Sequence, residues 1–165
     1  MKQYILFIIV IFICGFSHAQ RVVINDLSNS VGTWEGKLTY LDYSTGQPFT
    51  MLANIKIALT ANKKGYIMAY EYPKEPHANT KDTTYITNDL FGTDKIVAFT
   101  KDASSGFKMV TEKDGVDGND NKKAILRHIY LLQSNTFSIV KEVKFSGTEK
   151  WIKRNEYQFN RAAGQ

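Results

Sequence analysis

The amino-acid sequence predicts an all-β domain, in which an antiparallel up-and-down meander of eight to ten strands closes into a barrel. Apolar and polar residues alternate along most of the chain after residue 32, turn-forming residues separate the alternating segments, and no segment has an apolar stripe of helical period. This pattern gives about nine strands, which we place at residues 33–42, 49–61, 66–72, 83–87, 95–101, 107–113, 124–133, 136–145 and 149–161.

The first two strands carry the clearest alternation. Trp34, Leu38 and Tyr40 share one face of the first strand, and charged or hydroxylated residues occupy the other face. In the second strand, Phe49 and Met51 begin a series of apolar residues at every second position. A period of two is typical of a strand with one buried face. We therefore expect these faces to contribute to a common core.

The connections between strands are short, which predicts that neighbours in sequence are neighbours in space. The two-residue link Ser134–Asn135 requires antiparallel pairing. Residues 73–82 contain two prolines and form the longest predicted loop. A meander of this many strands leaves two exposed edges, which closure into a barrel removes. A two-layer sandwich is the alternative, but it requires long crossovers, and only residues 73–82 could provide one.

Residues 1–19 have the pattern of a secretory signal peptide. Lys2 supplies the positive charge, residues 4–16 are uncharged and largely apolar, and Ser17 and Ala19 fit the small-residue rule for cleavage after residue 19. The apolar run is shorter than the roughly 20 residues of a spanning helix. We therefore expect an exported protein of the periplasm or the extracellular medium, with no stable membrane insertion after cleavage.

This prediction sets the domain organisation and removes one class of chemistry. The only cysteine, Cys14, lies within the signal peptide. The exported chain therefore has no disulfide, thiolate metal site or thiol nucleophile. The expected organisation is a signal peptide at residues 1–19, an N-terminal lead-in segment at 20–31 and the barrel domain at 32–162.

The charge pattern argues against a nucleic-acid partner. The formal net charge is +5, but basic and acidic residues are interleaved, and no basic run exceeds two residues. Such interleaving is typical of an ordinary solvated surface. The composition makes no prediction of the oligomeric state.

The two ends of the predicted barrel domain carry a family pattern. Gly32-Thr33-Trp34 opens the first strand, and the last strand carries Arg154 and Arg161. This pattern resembles the calycin superfamily, and the chain looks like a lipocalin-like domain of a secreted bacterial protein with no assigned function. The resemblance implies that Trp34 closes one end of the barrel and that Arg154 or Arg161 packs across its indole. Such a cation–π contact contributes roughly 0.5–2 kcal/mol, and Gly32 lets the backbone turn sharply into the strand.

Two related barrel classes are alternatives. Fatty-acid-binding proteins also begin with a G-x-W strand, but they insert a helical pair after it, whereas this chain continues directly into a hairpin. Nitrobindin-type haem barrels require a histidine ligand. A lipocalin-like domain is therefore the closest description.

Large side chains with a polar tip or a flexible thioether are the candidate lumen residues. A ligand cavity needs a mostly apolar lining with a few oriented polar groups, although the same side chains can fill the core of a small barrel. Phe49 and Tyr72 are also expected to face inward. The candidate ligand-binding residues are Trp34, Tyr40, Met51, Tyr66, Met68, Tyr70, His128 and Tyr130.

Two histidines follow the signal peptide. His77 stands beside a proline in the long loop, where we expect it to face solvent near the barrel mouth. His128 shares a face with Leu126 and Tyr130, so it either packs in the wall or serves the lumen as an acid, a base or a ligand. Two histidines on separate elements do not make a zinc site. We therefore predict neither a metal nor a cofactor.

The first functional hypothesis is an exported binding module that holds a small apolar or amphipathic molecule. Its mouth would lie near residues 73–82, and Tyr70 or His128 would orient the polar end of the ligand. A barrel-type hydrolase, isomerase or cyclase is the alternative, with His128 and either Glu71 or Glu112 as an acid–base pair. The third hypothesis is a solid-core envelope protein that interacts with partners through its surface. Because the sequence lacks a catalytic motif, it favours binding over catalysis.

Overall fold

A computed structural model describes residues 22–163, so the predicted signal peptide lies outside the described residues. Ten strands form one closed antiparallel barrel in which each strand pairs with its neighbours in the chain and β1 closes the ring against β10. The predicted fold class is confirmed. The strands are β1 (Gly32–Leu41), β2 (Pro48–Leu59), β3 (Gly65–Glu71), β4 (Thr80–Thr87), β5 (Leu90–Phe91), β6 (Asp94–Lys101), β7 (Phe107–Asp117), β8 (Lys122–Leu132), β9 (Thr136–Phe145) and β10 (Ile152–Arg161).

The predicted strands differ from the observed ones by a residue or two at several ends and by more at β4, β5, β7 and β10, the last of which begins at Ile152 and not at residue 149. β5 was not predicted, because two residues are too short to show alternation. β4 begins at Thr80, inside the segment predicted as a long loop. Another part of that segment, Pro76–Ala78, forms a 3-10 turn. β7 continues to Asp117 through a segment predicted as a hairpin tip, because residues 113–117 remain in register with β8.

A short helix covers one end of the barrel, which we call the lower end because β1 starts there. The segment Ile24–Ser30 forms a 3-10 helix with Leu27 and Ser30 buried. The indole Nε1 of Trp34 donates a hydrogen bond of 2.8 Å to the carbonyl oxygen of Ser30. The helix thereby acts as a lid on the apolar core. No helix among residues 22–163 has the length and apolar character needed to span a bilayer.

The short β5 leaves a step in the wall. It pairs with β4 only at Ile86 and Thr87, and with β6 only at Asp94 and Lys95. Towards the upper end, residues 80–84 of β4 pair with β3, and residues 113–117 of β7 pair with β8. These two stretches therefore border the barrel wall above β5.

Candidate functional site

The lower half of the lumen is filled by aromatic and aliphatic side chains. Phe137 contacts Trp34, Phe107 and Phe159, with ring centroids 5.7 to 6.5 Å apart. Each of these four side chains is at most 3% exposed. Close packing of this kind leaves no room for a ligand and accounts for much of the apolar burial.

An arginine closes this lower end. The guanidinium of Arg161 lies over the ring of Trp34, 4.1 Å from its centroid. It also donates hydrogen bonds of 3.2 Å to the carbonyl of Val31 and 2.8 Å to that of Asn29. Arg154, the other sequence candidate, lies over Tyr43 at 3.5 Å instead. Arg161 is therefore the arginine that packs on Trp34.

A belt of tyrosines lies above the apolar layer. Tyr70 packs on Tyr157 with centroids 5.1 Å apart, and the hydroxyls of Tyr72 and Tyr157 are hydrogen-bonded at 2.7 Å. Burial raises the pKa of Tyr70 above the usual value, so its hydroxyl stays protonated at neutral pH. Tyr66 lies below the belt, because its hydroxyl is hydrogen-bonded to Ser30 of the helix at the lower end. The belt offers apolar ring faces with neutral hydroxyls, the lining expected for an amphipathic guest.

The upper half contains a first charged cluster around Asp117. The Asp117 carboxylate accepts hydrogen bonds from Lys141, from the Tyr43 hydroxyl at 2.8 Å and from Gly118 N–H at 2.7 Å, and Arg154 Nε lies 3.3 Å away. Burial alone would raise the pKa of Asp117, but these donors outweigh it and hold the pKa below its usual value. Burial and the contact with the Asp117 carboxylate raise the pKa of Tyr43 to about 12, although Arg154 opposes this rise. At neutral pH this cluster carries two cations and one anion.

A second charged cluster centres on Asp94, the first residue of β6. Asp94 Oδ1 lies 2.9 Å from Lys113 Nζ and accepts a hydrogen bond of 3.1 Å from the Thr93 hydroxyl. Asp94 Oδ2 lies 3.3 Å from His128 Nδ1. Lys141 is the register partner of His128 across β8 and β9, so the two clusters adjoin. Together they form what we call the charged layer: Tyr43, Asp94, Lys113, Asp117, His128, Lys141 and Arg154.

The charge state of His128 follows from these neighbours. Burial lowers the pKa of His128, the Asp94 carboxylate opposes this effect, and Lys113 and Lys141 lower the pKa further. The net result is a pKa below the ordinary value of 6.5. His128 is therefore a neutral imidazole at neutral pH.

Three polar atoms in the upper lumen are buried without a hydrogen-bond partner among the described residues. They are Arg154 Nη1, Thr111 Oγ1 and His128 Nδ1, the last of which lies 3.3 Å from Asp94 Oδ2 without the geometry of a hydrogen bond. Buried donors and acceptors are normally satisfied, and leaving one unpaired costs about 1–3 kcal/mol. The arginine nitrogen is always a donor. These atoms mark where a guest molecule could supply missing acceptors and donors.

The charged layer is also reachable from outside. The side chains of Lys113, His128, Lys141 and Arg154 are 38%, 23%, 23% and 20% exposed. Tyr40, Met51, Tyr70 and Tyr72, which face the same space, are half-buried. The charged layer is thus partly exposed, whereas the lower apolar layer is closed, and Ala124, Leu126 and Val143 form a separate buried apolar cluster at the upper end.

The predicted lumen residues divide between these layers. Trp34, Tyr66, Met68 and Tyr130 are buried core residues, whereas Tyr40, Met51, Tyr70 and His128 are partly exposed. Phe49 is 50% exposed, so its predicted position inside the barrel is wrong. It stands at the upper rim, second residue of β2, where its ring contacts Tyr40 but no strand covers its other side.

The acid–base partners predicted for His128 do not lie beside it. Both glutamates alternate with inward-facing neighbours and therefore point outward. Glu112 Oε1 lies 2.6 Å from Arg127 Nη2, and Glu71 is exposed. Arg127 also lies 3.7 Å over the ring of Trp151 on this outer wall. The carboxylate beside His128 is Asp94.

Sequence reasoning missed most of the charged layer, although one signal was present. Lys141 lies on the same face of β9 as Phe137, Ile139 and Val143. A single lysine within a series of apolar residues at every second position predicts an inward-facing charge. Lys113 follows Phe107 and Met109 in the same way. Among residues 22–163, no three His, Cys, Asp or Glu side chains are arranged to hold a metal ion.

Comparison with known proteins identifies similar structures but no family. Rv2717c from M. tuberculosis has a TM-score of 0.50 at 13% identity, over 84% of this chain and 96% of its own. A protein of unknown function from the DUF3598 family of Nostoc punctiforme has a TM-score of 0.42 at 13% identity, over 86% of this chain and 50% of its own. No protein-family model and no curated protein matches the chain. The likeness to Rv2717c supports the barrel fold alone.

Proposed function

We propose that this barrel is a binding module that holds a small amphipathic molecule in the upper half of its lumen. The observation that carries the proposal is the accessible charged layer, with the buried and unpaired donor Arg154 Nη1, placed directly above a tyrosine belt. A barrel that served only as a solid scaffold would gain more from apolar residues at these inward positions, because burying charge is costly. The charged layer therefore favours a ligand over a filled lumen.

The sign of the charge selects the polar end of the ligand. Lys113, Lys141 and Arg154 face two carboxylates, those of Asp94 and Asp117, so the layer is net positive with His128 neutral. A carboxylate or another small anionic group would satisfy the unpaired arginine donor and balance this charge. The apolar part of the ligand would then lie against Tyr70, Tyr157 and Met51.

A displacement assay tests this proposal. A fluorescent fatty acid bound to the purified barrel should be displaced by decanoic acid more strongly than by decanol. Arg154→Gln should weaken decanoic acid binding at least tenfold, about 1.4 kcal/mol, and leave decanol binding almost unchanged. Arg127→Gln is the matched control, since it removes an arginine of the outer wall that also pairs with carboxylates.

The controls separate a failed proposal from a failed variant. Circular dichroism should show that both arginine variants keep the barrel fold. If neither decanoic acid nor decanol displaces the probe from the folded protein, the binding function is wrong. If Arg127→Gln weakens binding as much as Arg154→Gln does, the proposed position of the head group is wrong.

We also propose that the barrel is lipocalin-like and that it is exported. Gly32, Trp34 and the stacked Arg161 support the kinship, because they reproduce the arrangement that the sequence resemblance implied. The pattern of residues 1–19 supports export. Mass spectrometry of the secreted protein should find a mature chain that begins at Gln20; an intact N-terminus on exported protein would contradict the cleavage prediction.

A further inference from the structure

The cluster around Asp94 has the arrangement of a proton-transfer site. One carboxylate holds two functional groups, with Lys113 Nζ 2.9 Å from Oδ1 and His128 Nδ1 3.3 Å from Oδ2. Because both groups contact the same carboxylate, they lie close together, with Lys113 one inward position above the residue that pairs with His128. A ligand that contacts one of them is within reach of the other.

The histidine presents its free edge to the accessible space. His128 lies on the same face of β8 as Tyr130 and Leu132, which are core residues, so its ring points inward. Nδ1 is fully buried, whereas the side chain as a whole is 23% exposed, so the exposed part belongs to its other atoms. With Nδ1 directed at Asp94, covalent geometry places Nε2 on the opposite side of the ring.

Asp94 is placed to orient the ring rather than to react. Its side chain is 11% exposed, and Lys113 and the Thr93 hydroxyl both bind Oδ1. A carboxylate fixed in this way can accept a hydrogen bond from Nδ1–H, which keeps the proton on Nδ1 and leaves Nε2 as the basic atom, as in other base–orienter pairs. The 3.3 Å separation is within the looser range seen before a substrate binds.

We propose that His128 and Lys113 form a catalytic pair that isomerises β,γ-unsaturated ketones carrying an apolar chain. His128 Nε2 removes a proton from the carbon between the carbonyl and the alkene. The C–H electrons form a new C=C bond, and the carbonyl oxygen takes up the negative charge beside the Lys113 ammonium. The imidazolium then returns the proton to the γ carbon and the C=O bond re-forms, so the product is the conjugated isomer and no co-reactant is needed.

The electrostatics of the site suit this step. The groups that face His128 are Asp94 from β6, Lys113 from β7 and Lys141 from β9, with Tyr130 beside it on β8. Their combined effect with burial keeps the imidazole neutral at neutral pH, which a general base requires. Lys113 is 38% exposed, so its ammonium can reach a developing oxyanion while it still contacts Asp94.

The test uses a medium-chain β,γ-unsaturated methyl ketone, whose conjugated product absorbs in the ultraviolet. The whole exported chain should convert it, and His128→Gln should lower kcat/KM at least 100-fold, since general acid–base catalysis contributes about 10²–10⁴. His77→Gln is the matched control and should keep full activity, because His77 lies in the exposed 3-10 turn. Lys113→Gln should lower kcat, and Lys113→Arg should restore part of it.

Asp94 is a positioning residue, so its test needs a pH profile. The rate should rise with pH as His128 loses its proton, with a midpoint below the ordinary histidine value. Asp94→Asn should move this midpoint lower still, because Asp94 is the group that raises the pKa of His128. An unchanged midpoint in Asp94→Asn would overturn the role assigned to Asp94.

Binding and conversion are measured on the same samples, because the inference rests on the proposed function in needing an accessible upper lumen. If the ketone displaces the fluorescent fatty acid but is not converted faster than by His128→Gln, the catalytic inference is wrong and the binding function stands. If decanoic acid binds and the ketone does not, the inference is also wrong. If neither binds, both proposals fail.

Discussion

In the lower half of the barrel, the four aromatic side chains packed around and including Phe137 are at most 3% exposed, whereas Lys113, His128, Lys141 and Arg154 in the upper half keep 20–38% of their side-chain surface exposed. Both halves belong to the same ten strands. The lower half holds most of the buried apolar core, and the upper half, beside a smaller apolar cluster of Ala124, Leu126 and Val143, contains buried polar atoms without a hydrogen bond. The comparison indicates that close apolar packing and partly exposed charge are placed at different ends of the same sheet.

The largest expected effect is a loss of stability in the lower half. Trp34→Ala should lower the free energy of unfolding by about 3–5 kcal/mol, because it leaves a cavity beneath Arg161 and beside Phe137. Urea unfolding followed by circular dichroism measures this. Trp151→Ala is the control on the outer wall, where the indole is only half-buried, and it should cost about 1 kcal/mol. Equal losses would contradict the placement of Trp34 in a closely packed core.

The next effect concerns the arginine that closes the lower end. Arg161→Gln should lower the free energy of unfolding by about 2 kcal/mol, because it removes the contact with Trp34 and the hydrogen bonds to Val31 and Asn29. Lys153→Gln, which loses one exposed ion pair with Glu156, should cost less than about 0.5 kcal/mol. The same unfolding assay compares the two. If Arg161→Gln leaves the free energy of unfolding unchanged, the closure of the lower end does not depend on this contact.

A smaller effect is expected at Asp117 in the upper half. Its pKa is held below the usual value, so its contribution is complete above the ordinary aspartate pKa and is lost as pH falls through the lowered one. Asp117→Asn should therefore cost about 1.5 kcal/mol at neutral pH and flatten the loss of stability in acid. Unfolding measured across the acidic range tests this. Asp114→Asn, at an exposed position of the same strand, should leave the acid profile as in the parent protein.

The smallest effect is expected at His128. Because the pKa of His128 is lowered in the folded state, the unfolded chain binds its proton first as pH falls below the ordinary value of 6.5. Stability should decline below that pH, and His128→Gln should reduce the decline by less than about 1 kcal/mol. Thermal unfolding at several pH values measures it. His77→Gln should leave the decline unchanged. A steeper decline in His128→Gln than in the parent protein would contradict a lowered pKa of His128 in the folded state.

The fold could be predicted from the sequence because alternation reports burial directly. Trp34, Leu38 and Tyr40 share the inner face of β1 as their spacing indicated, and Glu35 and Lys37 lie outside. β5 escaped prediction because its two residues, Leu90 and Phe91, carry no periodicity. Periodicity can therefore locate long strands, but a two-residue strand depends on its neighbours for its existence.

The candidate site was less predictable because it depends on geometry that no single strand encodes. Arg154 stands at an irregularity in the β9–β10 register, between Lys153 and Asn155. A bulge re-aims the side chain at that point, and here Arg154 reaches Asp117 on β7. Asp94 likewise meets His128 only because β6 starts where β5 ends. Contacts between strands far apart in sequence leave no trace in the period of either strand.

The stepped wall above β5 has a consequence for solubility. Barrel closure hides most backbone donors and acceptors, but residues 80–84 of β4 and 113–117 of β7 each pair on one side with a barrel strand and border the gap on the other. Such edges are templates for pairing with a second chain. Both carry alternating charge, with Lys81 and Asp82 on one and Lys113 and Asp114 on the other. These charges oppose edge-to-edge pairing with a second chain.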